Sequence, residues 1–150
     1  MGKVNWDISE LHWLIVRFAY IQYINFQTLI QHCMTEKELK IRTRKFAIEV
    51  LNFIDLLPNR KSANIISNQL GRSASSVAAN YRAACRARSH NEFISKIGIV
   101  EEEADESTFW LDIIPETNNA DKIIVDPLLK EARELTAIFT AASKTAKSNK

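Results

Sequence analysis

Residues 62–115 read SANIISNQLGRSASSVAANYRAACRARSHNEFISKIGIVEEEADESTFWLDIIP. Two apolar seams run through this stretch in alternating steps of four and three. The first passes through Ile66, Leu70, Ser73, Val77, Asn80, Ala84 and Ala87. The second passes through Phe93, Ile97, Val100, Ala104, Ser107, Leu111 and Ile114. Such spacing gathers each seam on one face of a helix, the pattern by which helices pack side by side. Ser89, with Glu92 three residues on, reads as the N-cap of the second helix. The stretch is therefore two long helices, from about Ser62 to Arg86 and from Ser89 to Pro115, meeting at a tight corner. Gly71 sits inside the first, where it costs about 1 kcal/mol against Ala and points to a kink or a close backbone contact. The run of small side chains from Ser73 to Ala79 marks the tightest crossing with a neighbouring helix.

Outward from the corner, the same period recurs on both sides. Leu39, Thr43, Phe46, Val50, Phe53 and Leu57 form a seam from about Glu36 to Leu57, widened by Ala47, Leu51 and Ile54. Thr35 and Glu38 supply a capping box at its start, and Pro58-Asn59 ends it. After a connection over Glu116–Val125, Asp126-Pro127 reads as N-cap and first residue of a last helix with the seam Leu128, Ala132, Leu135, Phe139 and Ala142. Its tail, Lys144–Lys150, is polar and basic and should fray. Helices of this length joined by short loops lie antiparallel, so residues 34–150 predict an all-α, up-down-up-down four-helix bundle.

Residues 1–33 stand apart. Ile8–Ile30 is rich in large apolar and aromatic side chains, but Glu10, His12, Arg17, Gln22, Asn25 and Gln27 interrupt it. A charged Arg17 is costly in a bilayer, and the segment makes a poor signal peptide. Three readings stay open: an extra helix docked on the bundle or on another subunit, a segment lying on a membrane surface, or sequence upstream of a true start at Met34. A membrane partner is the weakest of the three.

A chain of 150 residues with 46% hydrophobic and 25% charged residues suits one soluble domain with a real core. Only three Gly and three Pro favour long helices over a turn-rich β fold. Cys33 and Cys85 form no disulfide framework or metal motif, which leaves a reduced, cytoplasmic chain as the default. The formal net charge is only +2, but it is unevenly spread. Arg72–Lys96 holds five basic residues and one acid, whereas Glu101–Glu116 holds seven acids and no base. Two readings follow: faces that pair between helices or subunits, or a basic surface for a polyanion.

The cations that would carry such a surface are Arg82, Arg86, Arg88 and Lys96, with His90 and Tyr81 close by in sequence. No groove-reading DNA or RNA motif accompanies them. The gaps from the arginines to His90 are one, three and seven residues, which does not fit a ribonuclease pattern of Arg followed by His after four to six. No Glu-x-x-His occurs, so a di-iron bundle site is not indicated, and no nucleophile pattern or Gly-rich phosphate loop is present. No cofactor or metal is expected and no enzymatic activity is indicated. Ser73, Asn80 and Ser107 place polar groups in the seams, where they fix register or simply satisfy one another.

Asn68–Ser89 (NQLGRSASSVAANYRAACRARS) and Glu92–Asp112 (EFISKIGIVEEEADESTFWLD) together resemble the small bacterial four-helix bundle proteins known as 23S rRNA intervening sequence proteins. Leu135–Lys147 resembles their closing helix. The resemblance covers about Met34 to Lys150 and stops before it, in keeping with a start at Met34. It implies a left-handed bundle, often a ring of five subunits, and no enzymatic activity. It also implies kinship with the accessory protein of diversity-generating retroelements, a basic pentamer that binds a reverse transcriptase and nucleic acid. Positions matching the family pattern are Arg72, Ser73, Ser76, Asn80, Arg86, Ser89, Phe93, Lys96, Glu102 and Glu106. Of these, Arg72, Ser73, Ser76, Asn80, Glu102 and Glu106 would form a structural polar seam. Ala83 stands where an acid is usual and Glu101 where an apolar residue is usual.

Overall fold

The computed structural model describes residues 34–149. The expectations for residues 1–33 lie outside that range. Four helices make up the described chain: α1 (Glu36–Ile54), α2 (Lys61–Ala84), α3 (His90–Glu116) and α4 (Lys122–Ser148). Each packs against its neighbours in the order α1–α2–α3–α4, and α4 returns to α1. Short connections make successive helices antiparallel, so the chain is an up-down-up-down four-helix bundle. The apolar seams face inward, except that α4 buries Leu129 and Ser143 where Leu128 and Ala142 were expected. Phe46, Val50, Leu70, Val77, Ile97, Val100, Leu111, Ile114, Leu135 and Phe139 are all buried and form one continuous core. Asn80, Ala87 and Phe93 lie at the edge of their seams, half-buried.

The helix ends show where local chemistry departs from the simple period. α1 stops at Ile54 rather than Leu57. Its last turn tightens, with Leu56 donating to the Phe53 carbonyl and Leu57 to that of Ile54, because a residue before proline is pushed out of helical backbone. Leu51 lies at the margin of the α1–α2 interface, its Cδ2 3.7 Å from where a Cβ on Gly71 would sit, and is partly exposed rather than in the core. Ser89 caps α3, accepting from the Glu92 N–H at 3.1 Å, while the Glu92 carboxylate accepts from the Arg88 N–H at 2.8 Å.

The far end of α3 closes in a Schellman turn. Asn118 takes a left-handed backbone (φ 54°), its N–H donates to Pro115 and that of Asn119 to Ile114. This turn shortens the expected connection. α4 then starts at Lys122, behind Asp121, instead of at Pro127. Asp126-Pro127 lies inside the helix. The reason is Val125, which is fully buried and draws an extra turn onto the core. That turn is held by Asp121, whose carbonyl accepts from Ile124 and Val125.

Gly71 is a close-contact glycine. A Cβ there would lie 3.1 Å from Ile54 Cδ1, so α1 and α2 meet tightly at this level. The seam between α1 and α4 is the thinnest of the four. It carries instead a forked ion pair. Arg42 reaches Glu131 with two parallel hydrogen bonds, 2.7 and 2.8 Å, and Glu134 with a third at 2.5 Å. The bond to Glu131 raises the Arg42 pKa well above its ordinary value.

Candidate functional site

The polar groups on α2 and α3 sort into two sets: those that hold the helices together and those left facing outward. Arg72 belongs to the first. Its guanidinium spans from α2 to two acids on α3, meeting Glu106 at 2.6 Å and Glu103 at 3.2 Å. Glu106 also accepts from the Trp110 indole N–H at 3.1 Å. The Arg72 hydrogen bond holds the Glu106 carboxyl below the usual carboxylate range. Deeper in, Ser107 donates to Ser73 across the same interface at 2.9 Å, and Ser73 lies 3.3 Å from the Leu70 carbonyl. Of the expected polar seam, the structure thus joins Arg72 with Glu106 and Ser73 with Ser107. Ser76 and Asn80 are half-buried on α2 and their side chains make no hydrogen bond among the described residues, and Glu102 is exposed and makes no ion pair there. Glu103 and Trp110 were not singled out from sequence. Helix rotation, which places residues 103, 106 and 110 on the α2 side of α3, is what selects them.

The second set sits at the α2–α3 corner. Arg82, Arg86 and Arg88 are exposed, and none pairs with a carboxylate among the described residues. The contrast with Arg42, Arg72 and Arg133 is direct, since each of those three is bonded to an acid on a neighbouring helix. Lys96 is half-buried and lies 3.7 Å from Glu92, one turn back on α3. The corner is also a meeting point of helices. His90, the first residue of α3, donates from Nε2 to the Ala146 carbonyl on α4 at 2.9 Å. Glu36 and Lys40 of α1 lie close enough to act on the Cys85 thiol, which burial raises above its ordinary pKa. A half-buried thiol held in its neutral form is a poor nucleophile. Tyr81 offers no ring to a ligand, because it is buried against Phe139 with ring centroids 5.3 Å apart.

Among the described residues no group of three His, Cys, Asp or Glu side chains is placed to hold a metal ion. No described helix is long and apolar enough to cross a membrane.

A sequence model of the 23S rRNA-intervening sequence proteins matches residues 35–141. The chain belongs to that family. The bundle is similar to a crystal structure of a protein of unknown function, from the S23 ribosomal protein family, of Bacteroides thetaiotaomicron. The two are 28% identical with a TM-score of 0.65, over 70% of this chain and 97% of that one. No functionally curated protein matches the sequence. The family assignment accords with the bundle and assigns no role to the corner cations.

Proposed function

We propose that this family member is a non-enzymatic protein that associates with nucleic acid or ribonucleoprotein through the basic α2–α3 corner. One observation carries the reading: Arg82, Arg86 and Arg88 cluster at one corner, exposed and without a salt bridge among the described residues, whereas Arg42, Arg72 and Arg133 are clamped by acids on neighbouring helices. Free guanidinium groups suit phosphate, which they can grip with paired N–H donors. RNA and DNA binding measured across a salt series tests it. Affinity should fall steeply with salt, because each neutralised phosphate releases counterions. Absence of binding at low salt, or binding unchanged in Arg86→Ala/Arg88→Ala, overturns it.

A second reading, self-assembly, is favoured by a different feature. Ile41 and Ile48 lie exposed on the outer side of α1, with Ile41 60% exposed, and a second copy of the chain would cover them. Sedimentation should then show an oligomer that Ile41→Glu/Ile48→Glu converts to a folded monomer. A wild-type monomer at all concentrations contradicts it.

A further inference from the structure

The end of the bundle that carries the corner is basic as a whole. α2 ends there and α3 begins there, and the His90–Ala146 hydrogen bond fixes the last turn of α4 beside them. α1 starts at the same end, because successive helices of the bundle run antiparallel. Counting the residues this brings together (36–40, 82–96 and 144–147) gives eight Lys or Arg against three acids. At the opposite end, residues 51–64 and 111–126 hold three Lys or Arg against five acids. The bundle is therefore polarised along its axis. Helix ends do not produce this, because two N-termini and two C-termini meet at each end and their dipoles offset. The side chains do.

On α4, Ser143 and Ala146 face the core, which turns Lys144 and Lys147 outward. Neither makes an ion pair among the described residues. The aromatic rings at this end are turned the other way: Tyr81 and Phe139 are buried and Phe93 is half-buried. The His90 ring is engaged by Ala146. Phe109, 54% exposed, lies in the acidic half of α3. Among the described residues no stacking platform for bases accompanies the cations.

We propose that the basic end grips the phosphate backbone of nucleic acid with Arg82, Arg86, Arg88, Lys96, Lys144 and Lys147 together, and makes no base contacts. The inference rests on the nucleic-acid reading above and adds to it the last turn of α4 and the ligand's chemistry. The surface is a cap formed by three helices rather than a single corner. It gains its affinity from counterion release and is indifferent to sequence.

The test is fluorescence anisotropy of the full chain with a short labelled DNA duplex in two unrelated sequences and a labelled single-stranded RNA, each over a salt series. Lys144→Ala/Lys147→Ala should weaken binding to both duplex sequences alike. It should lower the slope of log affinity against log salt by about 2 on duplex DNA, one phosphate per lysine. Both lysines are exposed, so circular dichroism should show unchanged helix content. If Arg86→Ala/Arg88→Ala weakens binding but the lysine variant leaves affinity and slope as in wild type, the α4 contribution is refuted while the broader reading stands. A strong preference for one duplex sequence refutes backbone-only contact. Failure of the wild-type chain to bind any of the three probes at low salt refutes the underlying reading.

Discussion

Arg42 and Glu131 face each other across the α1–α4 seam in a fork-to-fork pair, with both nitrogen–oxygen distances below 3 Å. Arg42 is only 24% exposed and Glu131 25%, so solvent screens the pair incompletely. Because apolar contact between α1 and α4 is thin, this pair decides how firmly α1 closes the bundle. Arg42→Ala should lower stability by about 1–2 kcal/mol in urea unfolding, at the upper end for a partly exposed pair. Arg42→Lys should recover only part of this, because an ammonium cannot make two parallel bonds. Full recovery by Lys would show that charge alone, not the fork, holds the seam.

Ser73 and Ser107 give a second prediction, one about non-additivity. Either hydroxyl removed alone leaves a buried partner short of its cross-helix bond, although carbonyls on Leu70 and Glu103 still accept from what is left. Ser107→Ala and Ser73→Ala should each cost about 1 kcal/mol. The double variant should cost clearly less than their sum, because the unsatisfied partner has gone too. Additive losses in a double-mutant cycle would mean that the two hydroxyls act independently.

Acid should weaken the α2–α3 contact at Glu106. The Arg72 hydrogen bond keeps the carboxyl ionised to lower pH in the folded chain than in the unfolded one. A group with a lowered folded pKa stabilises fully above its unfolded value, about 4.3 for Glu, and loses that contribution as pH falls through the folded value. The urea midpoint of the wild-type chain should therefore drop more between neutral pH and pH values below that range than the midpoint of Glu106→Gln. Arg72 is half exposed, so the difference should be small and should shrink in high salt. Equal slopes in the two proteins would remove Glu106 from the acid response.

The bundle was legible because its seams keep one period over many turns. Leu70, Val77, Ile97, Leu111 and Phe139 could hardly be placed anywhere but inside. What the period cannot supply is rotation about each helix axis. Glu101, Glu102, Glu103, Asp105 and Glu106 all read as acids on one helix, and only the packed orientation picks Glu103 and Glu106 for Arg72. Nor does a linear chain show that its closing turn returns to the first residue of α3. For that reason Lys144 and Lys147 read as a fraying tail until the His90–Ala146 bond placed them beside the arginines.

The start of α4 was misread for a different reason, and it leads to the last prediction. Asp-Pro is a strong helix-start signal, and Ile123 and Ile124 show no periodic pattern before it, since both face solvent. Burial of Val125 overrides the signal, and Pro127 ends up in the sixth position of the helix. There it has no N–H to give the Ile123 carbonyl, which lies on an exposed turn and can take water instead. Pro127→Ala restores that bond and removes the ring's crowding of the preceding turn. It also frees the unfolded chain, which offsets about 0.4–1 kcal/mol of the gain. Replacing an interior proline is worth about 3 kcal/mol at full strength, and near a solvated first turn much less. The expected outcome is a stabilisation of about 1 kcal/mol, read as a higher urea midpoint with unchanged slope. Destabilisation by Pro127→Ala would mean that the first turn of α4 is held by the proline's fixed backbone rather than by Val125 in the core, and Val125→Ala would then cost far less than the 2–3 kcal/mol normal for a buried aliphatic side chain.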